Sequence, residues 1–167
     1  MNHNQTAVLF PGSFDPFTLG HASLVERALK LFPQVVVAVG YNEHKQGWIP
    51  VEERVRALEE FYADNRRVTI VSYTGLTVDL AQQLGIHCIL RGVRSTKDYE
   101  YELDIADINH RLSGIETIVL FADPNLASLS SSVVRELAHM GRDITDWLPG
   151  NINYRLNTIN EQQRANT

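Results

Sequence analysis

The sequence predicts an α/β protein: a single doubly wound domain with a five-stranded parallel sheet and a C-terminal helix. Short runs rich in Val, Ile and Leu alternate with longer amphipathic segments along the chain. Several of the short runs are continuous in apolar residues rather than alternating, as strands buried on both faces of a parallel sheet require. The amphipathic segments repeatedly stop at glycine, the residue that most readily closes a helix in the left-handed conformation.

Taken in order, the first strand is expected over Thr6 to Phe10, and the kinked segment Pro11-Gly12-Ser13-Phe14-Asp15-Pro16-Phe17 leads from it to Thr18-Leu19-Gly20-His21. A helix follows over Gly20 to Phe32, opening at Thr18 or Gly20. The next strand is Val35 to Val39, and Pro50 introduces a helix over Val51 to Asn65. Val68 to Tyr73 is a strand, Thr77 to Leu84 a helix ended by Gly85, and Cys88 to Leu90 a strand. Lys97 to Leu112 reads as a helix ended near Gly114, Thr117 to Phe121 as the fifth strand, and Ser131 to Met140 as a helix ended by Gly141. Apolar residues at helical spacing, including Trp147, Leu148 and Leu156, place a last helix over Ile144 to Ile159. The domain is therefore expected over residues 1–160, with 161–167 as a frayed tail. Right-handed crossovers give such a sheet its doubly wound form, and ligands bind beyond the carboxyl ends of its strands, where strand order reverses.

Composition narrows the classes of function. A chain of 167 residues with 44% hydrophobic and 21% charged residues buries an ordinary single core and is not disordered. Its net charge of −5, with no basic run longer than Arg66-Arg67, argues against a nucleic-acid partner. Cys88 is the only cysteine, so no intrachain disulfide forms, and Cys/His metal-ligand spacing is absent; no metal-ligating residue is assigned. Met1 to Thr6 is short and polar and reads as neither signal peptide nor anchor, and no apolar run approaches a membrane span. The expected compartment is the cytoplasm, with no membrane partner. No two glycines stand two apart, which excludes Gly-x-Gly-x-x-Gly, and no Gly-Lys-Ser/Thr loop occurs.

Polar clusters instead gather where strands end. At the first, Gly12, Ser13, Thr18, Gly20 and His21 fall at one strand-to-helix junction, where helix N–H groups favour an anion and an imidazole donor can meet charge developing on phosphate. A turn and a capped helix with an incidental His is the plainer reading; the coincidence of five such residues favours the anion site. Lys45, in the loop after the second strand, reads by itself as a solvated lysine. Arg91-Gly92-Val93-Arg94, followed by Lys97-Asp98-Tyr99-Glu100-Tyr101-Glu102, suits bidentate gripping of phosphate oxygens, and equally a strand end with solvated arginines. Ser128-Leu129-Ser130-Ser131-Ser132 opens a helix that can cap itself with Ser131 or Ser132, or can form a second anion site. Together these groups suit a polyphosphate.

The motifs Pro11-Gly12-Ser13-Phe14-Asp15-Pro16 with Thr18-x-Gly20-His21, Lys45 with Glu52-Glu53-Arg54-Val55, Arg91-Gly92-x-Arg94 with Asp98-Tyr99-Glu100-Tyr101-Glu102, and Ser130-Ser131-Ser132-x-Val134-Arg135-Glu136 resemble those of the bacterial phosphopantetheine adenylyltransferases. That family lies in the Thr/His-x-Gly-His nucleotidyltransferase superfamily, and the resemblance spans nearly the whole chain. It implies a Rossmann-like nucleotidyltransferase fold and adenylyl transfer from ATP to 4'-phosphopantetheine, giving dephospho-coenzyme A and pyrophosphate with Mg2+ as cofactor. Carried over by position, Ser13, Lys45, Thr77 and Arg91 hold phosphopantetheine. Ser13, Phe14, His21, Gly92, Val93, Arg94, Glu102 and the segment Leu126, Ala127, Ser128, Leu129, Ser130, Ser131 and Ser132 hold ATP, while His21, Lys45 and Arg91 act on the reacting phosphates. A homohexamer, and coenzyme A as a feedback ligand, are likewise implied. Two stretches depart from the family pattern: Leu126-Ala127-Ser128-Leu129 lacks an aromatic, and Ile49-Pro50-Val51 replaces Phe-Ser-Leu.

The chemistry needs no general base, because a phosphate monoester is already an anionic nucleophile near neutral pH. The obstacle is repulsion between anions and the charge growing at the α-phosphate and on pyrophosphate, which fixed cations and N–H dipoles relieve. Mg2+ would be bound by phosphate oxygens and water. Rival readings are a nucleotidyltransferase acting on nicotinamide mononucleotide or glycerol phosphate, and a non-catalytic nucleotide-binding module. A class I aminoacyl-tRNA synthetase shares the Gly-His element, but this chain is too short and acidic for it.

Overall fold

The computed structural model describes residues 7–150 and 152–154. Five strands, β1 (Ala7–Gly12), β2 (Gln34–Gly40), β3 (Val68–Tyr73), β4 (Cys88–Val93) and β5 (Glu116–Phe121), alternate with the helices α1 (Leu19–Ala28), α2 (Val51–Phe61), α3 (Thr77–Gln83), α4 (Thr96–Ser113) and α5 (Ser131–His139). Every strand pairing is parallel, and the order is β3-β2-β1-β4-β5. The sheet therefore grows outward from β1 in both directions, the doubly wound arrangement that the alternation of elements predicts.

Both faces of the sheet are covered, which explains the continuous apolar runs. Val8, Phe10, Val35, Val37, Val39 and Leu90 pack with Leu24, Val25, Ala28 and Leu58 of α1 and α2 on one face. The alternate residues Leu9, Ala38 and Ile89 pack with Val78 and Ala81 of α3 and with Ile86 and Ile115 on the other. Each of the buried Val, Leu, Ile and Phe side chains contributes roughly 1.5–3 kcal/mol by leaving water. Gly114, at φ 71°, closes α4 in the left-handed conformation as the sequence reading requires.

Helix ends differ from expectation where local hydrogen bonds compete. Helix α1 stops at Ala28 rather than Phe32. The last turn tightens through Lys30 N–H to Arg27 O (3.1 Å) and Leu31 N–H to Ala28 O (2.9 Å), and Arg67 donates to the carbonyls of Leu29, Phe32 and Pro33. Helix α2 ends at Phe61 rather than Asn65, because Asn65 turns back to Tyr62 O (2.8 Å) and its side chain accepts from the Arg67 N–H (3.1 Å). Strand β4 runs three residues past the expected Leu90, pairing through Val93↔Phe121. The C-terminal helix expected from Ile144 is not formed over the described residues: Thr145–Trp147 makes one 3-10 turn and Leu148 leaves it extended at ψ 151°. Pro149 is the reason, since a residue preceding proline is driven out of the helical region. The remainder of that expected helix and the tail 161–167 lie outside the described residues.

Among the described residues, the β1–β4 register is the single pair Leu9↔Ile89, whereas β1 and β2 pair from Ala7↔Gln34 through Gly12↔Val39. β1 and β4 are the strands at which the order reverses. Side chains and a cavity, rather than ladder hydrogen bonds, fill the space between their carboxyl ends.

Candidate active site

A cavity of about 340 Å³ opens at that switch point, between the ends of β1 and β4 and the start of α5. It is lined by Gly12, Ser13 and Phe14, by Thr18, Gly20 and His21, by Arg91, Gly92, Arg94, Asp98 and Glu102, and by Leu126, Leu129, Ser130, Ser131, Ser132 and Arg135. Three clusters that the sequence places at separate strand ends are thus one wall-to-wall site.

His21 is locked before any ligand arrives. Thr18 caps α1 with extended backbone, and His21 is the third helical residue. The Thr18 N–H donates to His21 Nδ1 at 3.0 Å, and Thr18 Oγ1 lies 3.1 Å from the same nitrogen. An N–H can only donate, so Nδ1 is the acceptor and the proton of the neutral ring sits on Nε2. Burial, reinforced by the positive charges of Arg94 and then Arg91, lowers the pKa from 6.5 to about 4. Phe14 and Phe17 flank the ring at centroid distances of 5.1 and 5.4 Å. At neutral pH the imidazole is an uncharged donor, fixed at one nitrogen and leaving the other to the cavity.

The backbone before it is unusual for a physical reason. Phe14 sits at φ 48°, a conformation that costs a bulky residue on the order of 1–3 kcal/mol, and its ring is only 2% exposed. A Cβ on Gly12 would fall 2.8 Å from that ring. The bulk that Gly12 avoids is therefore the folded-back Phe14, not only an incoming anion.

The arginine cluster departs from the expected phosphate fork. Arg91 donates from Nε to Glu102 Oε2 (2.7 Å) and from Nη2 to Glu102 Oε1 (2.6 Å), while Nη1 reaches Pro11 O (3.1 Å) across the β1–β4 gap. Its bidentate edge is engaged by Glu102, which is 6% exposed. Burial works against the Arg91 charge, yet the Glu102 hydrogen bonds hold its pKa above the usual value. Arg94 is paired likewise, Nε to Asp98 Oδ2 at 2.9 Å. The serine run is also corrected: the cap of α5 is Ser130, whose Oγ accepts from Val133 N–H (3.2 Å), because extended backbone ends one residue earlier than Ser131 or Ser132. Ser131 Oγ donates to Pro16 O (2.8 Å), tying α5 to the loop after β1.

Lys45 lies in a second cavity of about 520 Å³ on the β2 and β3 side, with Tyr41, Asn42, Trp48, Tyr73 and Arg54. Ser13 and Arg135 line both cavities. Thr77 lines neither; its hydroxyl lies 2.8 Å from that of Tyr73, which does. Val93 is buried at 2%, and it borders a separate surface depression with Tyr99 and Phe121. Ala127 and Ser128 stand back from the first cavity, which Leu126 and Leu129 reach.

Three residues that build the site stand in the quoted motifs without a role assigned to them from the sequence. Asp15 (8% exposed) accepts from the N–H groups of Trp48 and Ile49, each at 2.8 Å. Arg54 (5% exposed) donates to Ile49 O at 2.9 Å and Ser13 O at 2.5 Å. Arg135 donates from Nη1 to Asp15 O (2.5 Å) and from Nη2 to Ser132 Oγ (3.1 Å). The signal that could have found them is their place in the motifs quoted above, and for Asp15 a charge set between Phe14, Pro16 and Phe17. Tyr154 completes the frame: its hydroxyl accepts from the Phe17 N–H at 2.9 Å, and burial pushes its pKa up.

Comparison with known proteins finds relatives of the chain. The cytidylyltransferase-like family model matches residues 9–137. A phosphopantetheine adenylyltransferase of Phocaeicola vulgatus is 50% identical over 141 residues, 84% of this chain and 93% of its own. One of Bacteroides thetaiotaomicron is 48% identical over the same share of this chain, and one of Limosilactobacillus fermentum is 45% identical over 93% of this chain and 91% of its own. Among solved structures, the lipopolysaccharide core biosynthesis protein of Thermoplasma volcanium is similar in fold, with a TM-score of 0.51 at 20% identity over 70% of this chain and 95% of that one.

Proposed function

The chain belongs to the cytidylyltransferase-like family, among relatives that are phosphopantetheine adenylyltransferases, and from that premise we propose how its two cavities carry out adenylyl transfer from ATP to 4'-phosphopantetheine. An oxygen of the acceptor's phosphate forms a bond to the α-phosphorus of ATP as the bond to the β-phosphate oxygen breaks; dephospho-coenzyme A forms and pyrophosphate leaves. The cavity between β1 and β4 takes ATP, and the cavity at Lys45 takes the acceptor. The observation that carries the reading is that the two cavities meet at Ser13 and Arg135, beside His21.

His21 Nε2–H donates to the oxygen on which charge grows at the α-phosphate. A neutral donor already fixed in place needs no reorganisation as the charge appears. Lys45 supplies positive charge for the acceptor monoester. Arg94 and the start of α5 receive the leaving pyrophosphate, whose charge the helix N-terminus favours. Because Glu102 engages the fork of Arg91, we assign Arg91 a weaker, electrostatic part in holding the acceptor than its position in the sequence implies. Tyr41, Trp48 and Tyr73 offer the uncharged remainder of the acceptor apolar surface.

Mg2+ enters as a companion of ATP, bound through phosphate oxygens and water. Among the described residues no group of three or more His, Cys, Asp or Glu side chains could hold a metal ion. Among them too, no helix is long and apolar enough to cross a membrane; we place the activity in the cytoplasm. Exposed Tyr101, Ile108 and Leu112 on α4, at 62%, 50% and 63%, support association with further copies of the chain, for which we propose the homohexamer. Coenzyme A, sharing the acceptor's pantetheine arm, is the proposed feedback ligand. The test is pyrophosphate release from Mg-ATP with 4'-phosphopantetheine, pantetheine, nicotinamide mononucleotide or glycerol 3-phosphate. Activity with the first alone is expected. Preference for another phosphorylated acceptor refutes the substrate, and binding of ATP without pyrophosphate from any acceptor refutes the reaction.

A further inference from the structure

The phosphate loop after β1 and the loop that carries Lys45 are stitched together by two buried, oppositely charged side chains that take no part in the chemistry above. Asp15 accepts from the N–H groups of Trp48 and Ile49, both at 2.8 Å. Arg54, in the first turn of α2, donates to Ile49 O and to Ser13 O, at 2.9 and 2.5 Å. Ile49 is thus held at its N–H by one charge and at its C=O by the other. Gly47 occupies the angle between them: a Cβ there would lie 3.1 Å from Asp15 Oδ2 and 3.2 Å from Arg54 Nη2.

Burying two charges is costly, and apolar contacts would join two loops more cheaply. Charged hydrogen bonds do something apolar contacts cannot: they fix direction and register. Here they fix Ser13, which lines both cavities, relative to Lys45, which lines only the second. We propose that Asp15 and Arg54 are positioning residues for the acceptor. They set the Ser13 to Lys45 spacing that aims the acceptor phosphate at the α-phosphate of ATP. The proposal rests on the acceptor reading of the Lys45 cavity. It assigns the pair to acceptor alignment rather than to ATP binding, because their side chains hydrogen-bond to Trp48, Ile49 and Ser13, the two loops that meet at the Lys45 cavity, and not to His21 or Arg94.

The experiment is steady-state pyrophosphate release with Mg-ATP and 4'-phosphopantetheine, together with direct titration of ATP, for Asp15→Asn, Arg54→Met, Arg54→Lys and Gly47→Ala. Misplacing a reacting group lowers turnover while leaving remote binding intact, so the first two variants should raise acceptor KM about ten-fold or more and lower kcat about ten- to hundred-fold, with ATP affinity changed less than about two-fold. Arg54→Lys keeps the charge but not the two-carbonyl reach, and should recover part of the kcat lost in Arg54→Met. Gly47→Ala crowds the pair without removing a charge, and covers the case in which Asp15→Asn fails to fold. Folded variants that lose ATP and acceptor affinity by the same factor, or lose neither, overturn the proposal. A wild-type protein inactive with this acceptor overturns the function reading beneath it; an active wild type with unaffected variants overturns the positioning pair alone.

Discussion

The two cavities differ in how their charges are balanced. On the side proposed for ATP the cations are largely matched: Arg91 with Glu102, Arg94 with Asp98, and a histidine held neutral by burial. On the side proposed for the acceptor, Lys45 and Arg135 at the boundary make no ion pair among the described residues, and the loop bearing Lys45 is tied down through its backbone. The lesson is electrostatic. On the reading proposed above, ATP accompanied by Mg2+ has much of its charge already offset, and is best met by oriented dipoles and a pre-formed shape. A phosphate monoester arrives without that partner, and is best met by uncompensated positive charge. The same total of cations, distributed otherwise, would hold both ligands and align neither.

Four measurements test that contrast, beginning with the largest effect. His21→Ala removes the fixed donor and should lower kcat by about two to three orders of magnitude, with both KM values changed much less. Wild-type turnover in a folded variant would remove His21 from the chemistry. Arg91→Ala leaves buried Glu102 without its partner, so its first consequence should be a stability loss of about 2–3 kcal/mol, read as a lower denaturant midpoint. Should acceptor affinity collapse while the midpoint stays put, Arg91 grips phosphate directly and the balanced picture of the ATP side is wrong.

Lys45→Ala should raise acceptor KM about ten-fold, with ATP KM nearly unchanged, because it removes one unpaired charge from one cavity. Equal changes in both would erase the distinction between the cavities. The smallest effect concerns pH. Unfolding lets His21 take up a proton below its ordinary pKa of 6.5, whereas in the folded chain uptake waits until about 4. The unfolded state binds more protons across that window, so His21's contribution to stability is full above about pH 6.5 and falls as the pH drops toward 4. His21→Asn, which can still accept from the Thr18 N–H, should flatten this part of the melting-temperature profile. A profile parallel to the wild type between pH 6.5 and 4.5 would contradict the buried neutral imidazole.

Legibility of the sequence followed distance along the chain. The strands were readable because burial on both faces of a parallel sheet leaves continuous runs such as Val35 to Val39, and His21 was readable because its cap, Thr18, is three residues away. Arg91 and Glu102 are eleven residues apart in one motif, and both read as ligand contacts. That they satisfy each other depends on how β4 meets α4, which no spacing records. Asp15 and Trp48 are separated by 33 residues and Arg135 and Asp15 by 120, so the two loops had to be folded before their joint existed. Over the described residues the last expected helix does not form for a local reason, the extended preference of Leu148 before Pro149.

The hydrogen bond between Phe17 and Tyr154 has a consequence in time. It joins residues 137 positions apart, at the entrance to α1 and near the far end of the described chain. A ribosome adding about 5–20 residues per second needs roughly 7–27 s to travel between them. Through most of that interval a nascent chain carries Gly12, Ser13, Gly20 and His21 while the Phe17 amide among them lacks its partner. That hydrogen bond forms only once Tyr154 has emerged, so a chain cut off just before it would hold every residue lining the two cavities without this clasp.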